Sequence, residues 1–578
     1  MRKGFAVLLG VFVLAGFMCC TVITAWADVV INADNFPDET FREYVRQFDS
    51  NMDGVLNTEE LEDITFIGLD DNGNVSSLRG IEYFPNLDSL HCDGNQIATV
   101  DLTHNSKLRG IHLGYNQLKT LDLSHNPLVE TIYVRNNQLE TINITGSMNL
   151  QDVHIQENQI TELDISNRKH LTELYCRDNQ LVTLNITGCD ALEELNCKTS
   201  ETSGPEHTNN LSTLDLSNKP NLKTLYCNRL KLSTLDLSNK PNLELLYCGW
   251  NNLKAIDVSS CVSLVKFDCS SLDLGNLDVS KNTALVHLEA YDCRLSAIDV
   301  SKNTELEHLE LGGGINDNPE RYNRLTTLDV SHNTKLTYLA VDRNQLTELD
   351  VSHNTALTEL LCWKNQLMTL DVSHNSALMS LDCSINPITS INLSHNTALT
   401  QLYCRNTKIT TLDLSANTAL TLLSCRNNDL TTLDLAANPL ISSLSCDTNE
   451  MQILKVSSSD STAYPYQSDM RDYTGDTFTR IKGLTAYDSA DKTVGSFFTN
   501  ENGIALFTEC PSKIVYLYDL GYTGTADIAR TMKVTLTGDG KVTGNGNSAI
   551  PEDPSSGCNS GFSLLLLPGL VLLKSRRH

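Results

Sequence analysis

Positive charge is scarce in this chain of 578 residues. Its 43 Lys and Arg residues are outnumbered by 71 Asp and Glu residues, which gives a formal net charge of −28 at pH 7. Nucleic-acid binding needs clustered Lys and Arg to neutralise phosphates. The composition therefore argues against a nucleic-acid partner and makes calcium a natural one.

The common signatures of enzyme active sites are also missing. The sequence contains no serine–histidine constellation, no phosphate loop and no closed zinc pattern. We therefore predict a protein that is not an enzyme.

Long hydrophobic runs are scarce as well. The apolar stretch Leu564–Leu573 is broken by Pro568 and Gly569 and is too short for a normal membrane span.

What the sequence does have is a period of 21 residues from about Leu87 to Val456, and we count 17 coils. One copy, residues 357–377, reads LTELLCWKNQLMTLDVSHNSA. A unit this short cannot enclose a core, so its apolar residues must be buried against the neighbouring copies. The period predicts a solenoid, whose function depends on a surface more than on any single residue.

The segment L-x-x-L-x-[L/C]-x-x-N-x-L resembles the signature of the leucine-rich repeat family. The resemblance implies a leucine-rich repeat solenoid with a parallel β-sheet on the concave side and short strand or turn segments on the convex side, where Leu370 and Val372 point inward. We also expect the recurring asparagine of each coil to bond backbone groups at the turn. Examples of this residue are Asn95, Asn137, Asn179, Asn344 and Asn365.

The ends of the chain suggest export. Arg2 and Lys3 precede an apolar run and the sequence Ala-Trp-Ala, which is typical of a cleaved signal peptide. We divide the chain into residues 1–27 (signal peptide), 28–66 (helical EF-hand-like cap), 67–456 (solenoid), 457–542 (small β domain), 543–556 (linker) and 557–578 (C-terminal sorting or anchor segment).

The last segment contains Gly557, Cys558 and Asn559, followed by apolar residues and then Lys574, Arg576 and Arg577. This tail resembles bacterial C-terminal sorting segments of the Synergist type. The resemblance implies a sorting protease as a partner, processing or attachment at Cys558, and a location at the cell surface or outer membrane or in a released form. An unprocessed tail that anchors the chain in the membrane is the alternative.

Eleven of the 18 cysteines share one repeat position, where other coils have Leu, Val or Ile. Stacked side chains that point the same way do not favour disulfides. We interpret these cysteines as buried thiols that act as small hydrophobic residues, rather than as metal ligands. They are Cys92, Cys176, Cys197, Cys227, Cys248, Cys269, Cys362, Cys383, Cys404, Cys425 and Cys446.

Residues 49–60 fill every position of an EF-hand loop, with oxygen donors at the ligand positions and Gly54 at the sharp turn. A loop with this pattern predicts a structural calcium ion, and its expected role is to fix a helical cap over the first coil. A polar turn without an ion is the alternative. The predicted ligands are Asp49, Asn51, Asp53, Val55, Asn57 and Glu60.

The third, fifth and seventh residues of each strand should point out of the sheet. In the early coils these positions form a strip of rings and cations, and Tyr and Arg often anchor binding partners. The alternative is ring stacking that only stabilises the sheet. The strip consists of His91, His112, Tyr133, Arg135, His154, Tyr175, Arg177, Tyr226 and Tyr247.

Two imidazoles and three carboxylates converge further along the same face. His-x-Glu pairs on neighbouring strands would place unlike ligands about 5 Å apart, close enough to share a divalent cation. A coincidence of surface residues is the alternative. The predicted second metal site comprises Asp268, His287, Glu289, His308 and Glu310.

Two nine-residue insertions, within 198–210 and 312–324, leave the strand at the same repeat position. They could wall a pocket over Tyr226, Tyr247, Trp250, His287 and Glu289, or they could be tolerated surface loops.

The leading hypothesis is an exported, cell-surface leucine-rich repeat protein that binds a protein or glycan ligand, or another cell, through its concave face. One alternative is a glycan-acting hydrolase that uses Glu289 and Glu310 as a carboxylate pair. The other alternative is a structural component of a surface coat.

Overall fold

The computed structural model describes residues 28–446, except 203, 205–206, 314–318, 431 and 436, and five strands further along the chain. The chain divides into two compact units after Met148.

The first unit begins with a small helical cap. Helix α1, Glu39–Val45, starts at Asp38, whose carboxylate accepts a hydrogen bond from the Phe41 amide at 2.9 Å. A 3-10 turn, Arg46–Phe48, follows α1, and helix α2, Thr58–Asp63, is capped by Asn57. Both helix starts therefore use the acceptor side chains that N-caps favour.

Aromatic packing joins this cap to the first coil. The ring of Phe36 contacts those of Phe41 and Phe84 at centroid distances of 5.9 and 6.2 Å, and all three residues are fully buried. The Gly68 amide donates to the Tyr44 hydroxyl at 2.9 Å. The cap thus covers apolar residues at the start of the repeat array, as the sequence predicts.

Short parallel strands follow at the repeat period, one to a coil, and they pair in register within each unit. In the first unit they are Phe66–Gly68, Ser89–His91, Gly110–His112 and Thr131–Tyr133. In the second unit they are Asp152–His154, Glu173–Tyr175, Glu194–Asn196, Thr224–Tyr226, Leu245–Tyr247, Lys266–Asp268, His287–Glu289, His308–Glu310, Tyr338–Ala340, Glu359–Leu361, Ser380–Asp382, Gln401–Tyr403, Leu422–Ser424 and Ser443–Ser445. The strand Phe66–Gly68 precedes the first coil that the sequence period reveals.

The second half of each coil returns on the opposite side. Here Leu370 and Val372 are 6% and 0% exposed, so the predicted inward orientation is confirmed. Some of these segments form short parallel pairs of their own. The pairs are Thr120–Asp122 with Thr141–Asn143, and Glu162–Asp164 with Thr183–Asn185.

The recurring asparagine binds the backbone as predicted. The Asn365 amide nitrogen donates to the carbonyls of Val341 and Cys362 at 2.9 and 3.0 Å, and its oxygen accepts from the Leu346 amide at 3.0 Å. One buried side chain thus satisfies backbone groups of its own coil and of the preceding one.

A second asparagine column, which the sequence analysis did not single out, lies at the L-S-x-N turn. Asn375 is fully buried and donates to the carbonyls of Val351 and Asn354 at 3.0 and 2.9 Å. Asn354 and Asn396 make the same pair of bonds one coil earlier and one coil later. Two polar ladders therefore hold consecutive coils in register.

In many coils, the residue before the asparagine of the first ladder has a positive φ. It is 55° at Arg343, 57° at Lys364 and 56° at Ile385. Side chains with a Cβ rarely adopt this conformation, and β-branched residues do so least. The Ile385 amide donates to the Arg405 carbonyl at 2.8 Å, so cross-coil bonding offsets the strain.

A six-stranded sheet lies in the last part of the chain. Its strands, in spatial order, are Thr432–Leu435, Ile453–Ser457, Ala529–Thr537, Lys513–Asp519, Ile481–Tyr487 and Thr493–Phe497. The first three are parallel and the rest antiparallel. Four of these strands lie within the predicted small β domain, 457–542, and the sheet also includes strands that begin before residue 457.

Two short strands complete the cap. Val29–Val30 pairs antiparallel with Val55–Leu56, which lies inside the predicted calcium loop. EF-hand loops usually come in pairs, and the sequence contains no second complete loop. The N-terminal strand gives the single loop a backbone partner.

Candidate functional site

Stacked rings cover the outward face of the sheet in the first unit. The ring centroids of His91 and His112 are 4.0 Å apart, and those of His112 and Tyr133 are 4.6 Å apart. Arg135 lies over the ring of Tyr115 at 5.1 Å. The three predicted rings of this unit therefore form one continuous stack, whereas the predicted Arg135 packs on Tyr115, which the predicted strip does not include.

In the second unit the strip is interrupted. His154 and Tyr175 stack at 4.3 Å, and Tyr226 and Tyr247 stack at 4.8 Å, but Asn196 lies between these pairs in the column. Asn196 is only 7% exposed. The structure therefore shows two separate ring pairs in this unit.

The cations of the strip differ in what they already contact. Arg177 forms ion pairs with Glu157 at 2.5 Å and with Asp178, so its guanidinium is used within the unit. Lys198 lies 5.5 Å from the centre of the Tyr226 ring. Burial and the nearby Arg177 lower the pKa of Lys198. Because its guanidinium is already paired with Glu157 and Asp178, Arg177 is a weaker candidate for ligand contact than its residue type suggests.

Further cations and rings lie on the coils of the second ring pair and on the next coil. Lys266 lies 5.3 Å from the centre of the Tyr247 ring, and Arg229 lies 4.2 Å from that of Trp250. Trp250 was predicted to lie in a pocket, and its contact with Arg229 does not follow from the repeat spacing. We call Tyr226, Tyr247, Trp250, Arg229 and Lys266 the ring–cation patch.

The insertions fold against neighbouring coils. In the first, the Glu201 carboxylate binds Arg229 at 2.9 Å and the His207 ring contacts the Asn158 carbonyl at 3.1 Å. In the second, the Arg294 side chain donates to the Glu320 carbonyl at 2.9 Å. The first insertion thus borders the ring–cation patch through Arg229.

Both insertions end at a ladder asparagine. Asn209 and Asn323 lie at the repeat position that other coils give to the first ladder, and both bind carbonyls of the preceding coil and of their own. The prediction that both insertions leave at one repeat position is therefore confirmed.

Three of the five residues of the predicted second metal site come together. The ligand atoms of His287, Glu289 and His308 all lie within 4.8 Å of one another. His287 Nε2 is 2.5 Å from Glu289 Oε1, and Glu310 Oε2 is 3.7 Å from His308 Nε2. Asp268 is in register with Glu289 one strand earlier.

Electrostatics separate the carboxylates of this cluster. Burial raises the pKa of Asp268 to about 6, with the charge of Glu289 adding to the effect and a hydrogen bond from Ser270 opposing it. The hydrogen bond with His287 lowers the pKa of Glu289. A glycosidase acid needs a raised pKa, so Glu289 does not suit that role.

The opposite side of the coils carries a column of aspartates that cap turns. Asp350 and Asp371 each accept the amide of the serine two residues later at 2.9 Å. These bonds to Ser352 and Ser373 lower the pKa of both carboxyls. The column thus has a structural use in each coil.

The predicted calcium loop is closed by its own side chains. Asp49 accepts the amides of Asp53 and Gly54 at 3.2 and 2.8 Å, and Gly54 has a φ of +82°. Glu60 accepts from the Ser50 hydroxyl at 2.7 Å and from the Asn57 amide at 3.0 Å.

Hydrogen bonds with Ser50 and Asn57 lower the pKa of Glu60, which keeps it ionised. The donor set is all oxygen and includes three carboxylates, which fits calcium chemically.

Several predicted features lie outside the described residues, namely the signal peptide, the linker and the tail with Cys558. Within the part of the chain that is described, no helix has both the length and the apolar character needed to cross a membrane.

In-register parallel strands, one to a coil, two asparagine ladders and a buried column of Leu and Cys define this fold as a leucine-rich repeat solenoid. No model of a protein family matches the sequence, and no curated protein matches it.

Solved structures support the same class. The functional domain of InlJ from Listeria monocytogenes, which includes a cysteine ladder, is 23% identical, with a TM-score of 0.53 over 89% of this chain and 99% of that one. The plant peptide hormone receptor RGFR1, in complex with RGF2, is 18% identical, with a TM-score of 0.53 over 68% and 72% of the two chains.

The ectodomain of the Arabidopsis thaliana receptor kinase GASSHO1/SCHENGEN3, in complex with CASPARIAN STRIP INTEGRITY FACTOR 2, is 18% identical, with a TM-score of 0.51 over 65% of this chain and 54% of that one. At these identities the similarities establish the fold alone.

Proposed function

We propose that this chain is an exported, non-enzymatic protein that binds a protein ligand through the outward face of its parallel sheet. The observation that carries the proposal is the ring–cation patch. Its five large side chains come from neighbouring coils and present rings and cations, the groups that most often anchor protein partners.

Comparison at the level of the fold supports this proposal. Two of the similar structures are receptor ectodomains in complex with RGF2 and with CASPARIAN STRIP INTEGRITY FACTOR 2. RGF2 and CASPARIAN STRIP INTEGRITY FACTOR 2 are ligands of those two receptors, and we do not assign them to this chain. A glycan ligand, a glycan-acting hydrolase and a coat component are the alternatives, and the lowered pKa of Glu289 argues only against Glu289 as the general acid of such a hydrolase.

Removal of the two stacked tyrosines tests the proposal. The double variant Tyr226→Ala/Tyr247→Ala should bind at least about 100-fold more weakly, since each anchoring ring contributes on the order of 2 kcal/mol. Ligands are first found by screening the full chain against extracellular-matrix proteins and glycans, and affinity is then measured for each ligand found.

Tyr403→Ala is the matched control, because Tyr403 occupies the same column as Tyr247 but lies seven strands further along the sheet. It should leave affinity unchanged. If the double variant keeps wild-type affinity for every ligand of the screen, the patch is not the binding surface.

We also propose that the loop of residues 49–60 binds one structural calcium ion through Asp49, Asn51, Asp53, the Val55 carbonyl, Asn57 and Glu60. Two observations support this proposal: Gly54 has the positive φ that the sharp turn of such a loop needs, and Val55–Leu56 pairs with Val29–Val30.

Calcium should therefore raise the melting temperature, because an ion at 100 times its Kd stabilises the folded state by about 2.7 kcal/mol. Asp49→Ala should remove this response. Asp63→Ala, an exposed acid at the end of α2, should keep it. An equal calcium response in wild type and Asp49→Ala is incompatible with the assignment.

Export and surface attachment complete the proposal. They rest on the resemblance of residues 1–27 to a signal peptide and of the tail around Cys558 to a sorting segment. The sorting protease and the membrane are then partners during maturation, and Cys558 is the residue at which processing or attachment occurs.

A further inference from the structure

We propose that His287, Glu289 and His308 bind one divalent transition-metal ion of the Zn²⁺ class. Their ligand atoms lie within 4.8 Å of one another, and among the residues that the structure describes they form the one group of three His, Cys, Asp or Glu side chains gathered in this way. The site adjoins the ring–cation patch at Lys266, but it does not depend on the proposed function.

The repeat geometry explains why these side chains meet. His287 pairs in register with His308, and Glu289 pairs with Glu310, on adjacent parallel strands. Leu288, which lies between His287 and Glu289 in the sequence, is fully buried, so its two neighbours must point outward. Two His-x-Glu segments one coil apart thus place imidazoles beside imidazoles and carboxylates beside carboxylates.

The charge balance of the cluster favours a cation. Asp268, Glu289 and Glu310 follow one another in register, and like charges at such positions destabilise a sheet. Lys266 Nζ is 3.7 Å from Glu289 Oε1 and offsets part of this repulsion. A dication bound at Glu289 would offset more of it.

An unsatisfied imidazole nitrogen is a second, independent indication. His308 Nε2 is buried and has no hydrogen-bond partner, since the nearest carboxylate oxygen of Glu310 is 3.7 Å away. Buried polar atoms normally have partners, and an atom without one calls for a missing ligand or water. The neutral imidazole nitrogen is a common zinc ligand.

The rings are held in place but can still turn. His287 and His308 stack with a centroid distance of 3.8 Å and an interplanar angle of 4°, and Tyr338 stacks on His308 at 4.1 Å. Parallel rings do not aim both lone pairs at one point. Metal binding in this proposal therefore requires the rings to rotate about their terminal torsions, which are broad for histidine, toward an ion near Glu289 Oε1.

The donor set selects the kind of ion. Imidazole ligands suit Zn²⁺, Cu²⁺ and Ni²⁺, whereas Ca²⁺ and Mg²⁺ prefer oxygen alone. Two imidazoles and one carboxylate also leave a coordination position open to solvent. Each of the three side chains is 22–26% exposed, so an ion could reach the site from outside.

Titration of the full chain with zinc, followed by isothermal calorimetry, tests the proposal. Excess calcium is present throughout, so that it occupies the loop of residues 49–60. Wild type should bind zinc at this site. The double variant His287→Ala/His308→Ala should lose more than about 100-fold in affinity, because even changes to outer-shell groups of metal sites cost 10- to 100-fold. Glu289→Gln should weaken binding in the same direction.

His154→Ala is the matched control. His154 lies on the same face, stacks on Tyr175 and is 3.7 Å from the Glu173 carboxylate, but it does not belong to the three-residue cluster. Zinc affinity should be unchanged in this variant. Denaturation midpoints of all variants, measured without metal, separate lost ligands from lost folding.

Cobalt substitution identifies the ligands directly. Nitrogen and oxygen ligands give d–d absorption without the sulfur charge-transfer band of a thiolate site, and the d–d bands should disappear in His287→Ala/His308→Ala. The proposal is overturned if the full chain binds no zinc, if the double variant binds it as tightly as wild type, or if the sulfur band shows that cysteines hold the metal.

Discussion

Asn323→Ala should destabilise the second unit by about 3 kcal/mol or more, since each buried polar group left without a partner costs about 1–3 kcal/mol. The Asn323 amide donates to the carbonyls of Ala290 and Leu311 at 2.8 and 3.0 Å, and its oxygen accepts from the amides of Cys293 and Leu295 at 3.1 and 2.9 Å. Alanine can replace none of these bonds. Asn323 is 1% exposed, so water cannot easily replace them either.

Two measurements check this prediction. Urea denaturation should show the loss of stability, and hydrogen exchange should become faster at the Cys293 and Leu295 amides, which lose their acceptor. Asn252→Ala is the control, because Asn252 is exposed and its side chain donates to the Lys231 carbonyl at a long distance of 3.5 Å. Unchanged exchange at both amides in Asn323→Ala would show that the ladder does not hold this turn.

Features that depend on periodicity could be predicted from the sequence. The strand positions, the inward Leu370 and Val372 and the first asparagine ladder all follow, because a repeat puts equivalent residues in equivalent environments. The insertions were predictable for the same reason. Asn323 restores the ladder eleven residues after Gly312, which is nine more than an ordinary coil needs.

Features that depend on individual side-chain geometry could not be predicted in this way. Spacing places Arg177 on the outward face, but it does not show that Glu157 and Asp178 occupy its guanidinium. The repeat spacing likewise gives five candidate ligands in the His/Glu cluster. The side-chain rotamers bring three of these, His287, Glu289 and His308, within ligand distance of one another as one group. Sheet register follows from the repeat, but side-chain torsions do not.

The second asparagine ladder was missed although its signal was present. Asn354, Asn375 and Asn396 recur at the period of the coil, but an asparagine in an L-S-x-N turn is typical of exposed loops. The complete burial of these asparagines distinguishes them from asparagines in exposed loops. A polar residue that recurs as strictly as the leucines should be tested as a buried ladder before it is assigned to the surface.

The cysteine column should make the fold sensitive to alkaline pH. Burial raises the pKa of Cys404 to about 12 and that of Cys383 well above its ordinary value of 9.0, and it raises the pKa of Cys362 in the same direction. A group whose pKa is raised by folding contributes its full stability below the unfolded pKa and loses it as pH rises toward the folded pKa. Stability should therefore fall from about pH 9 upward. Each thiol accounts for a loss of about 1.4 kcal/mol at pH 10, because the unfolded chain ionises first.

The triple variant Cys362→Val/Cys383→Val/Cys404→Val isolates this effect from the ionisation of tyrosines and lysines. Valine already occupies this position at Val341, where it is fully buried, so the coil can accommodate it. Urea denaturation at pH 7 should differ little between variant and wild type. At pH 10 the wild type should have lost about 4 kcal/mol more than the variant, which is the sum for three thiols. An equal loss in both proteins would mean that these thiols ionise as easily in the folded chain as in the unfolded one, and the column would then not be the dry core that its burial indicates.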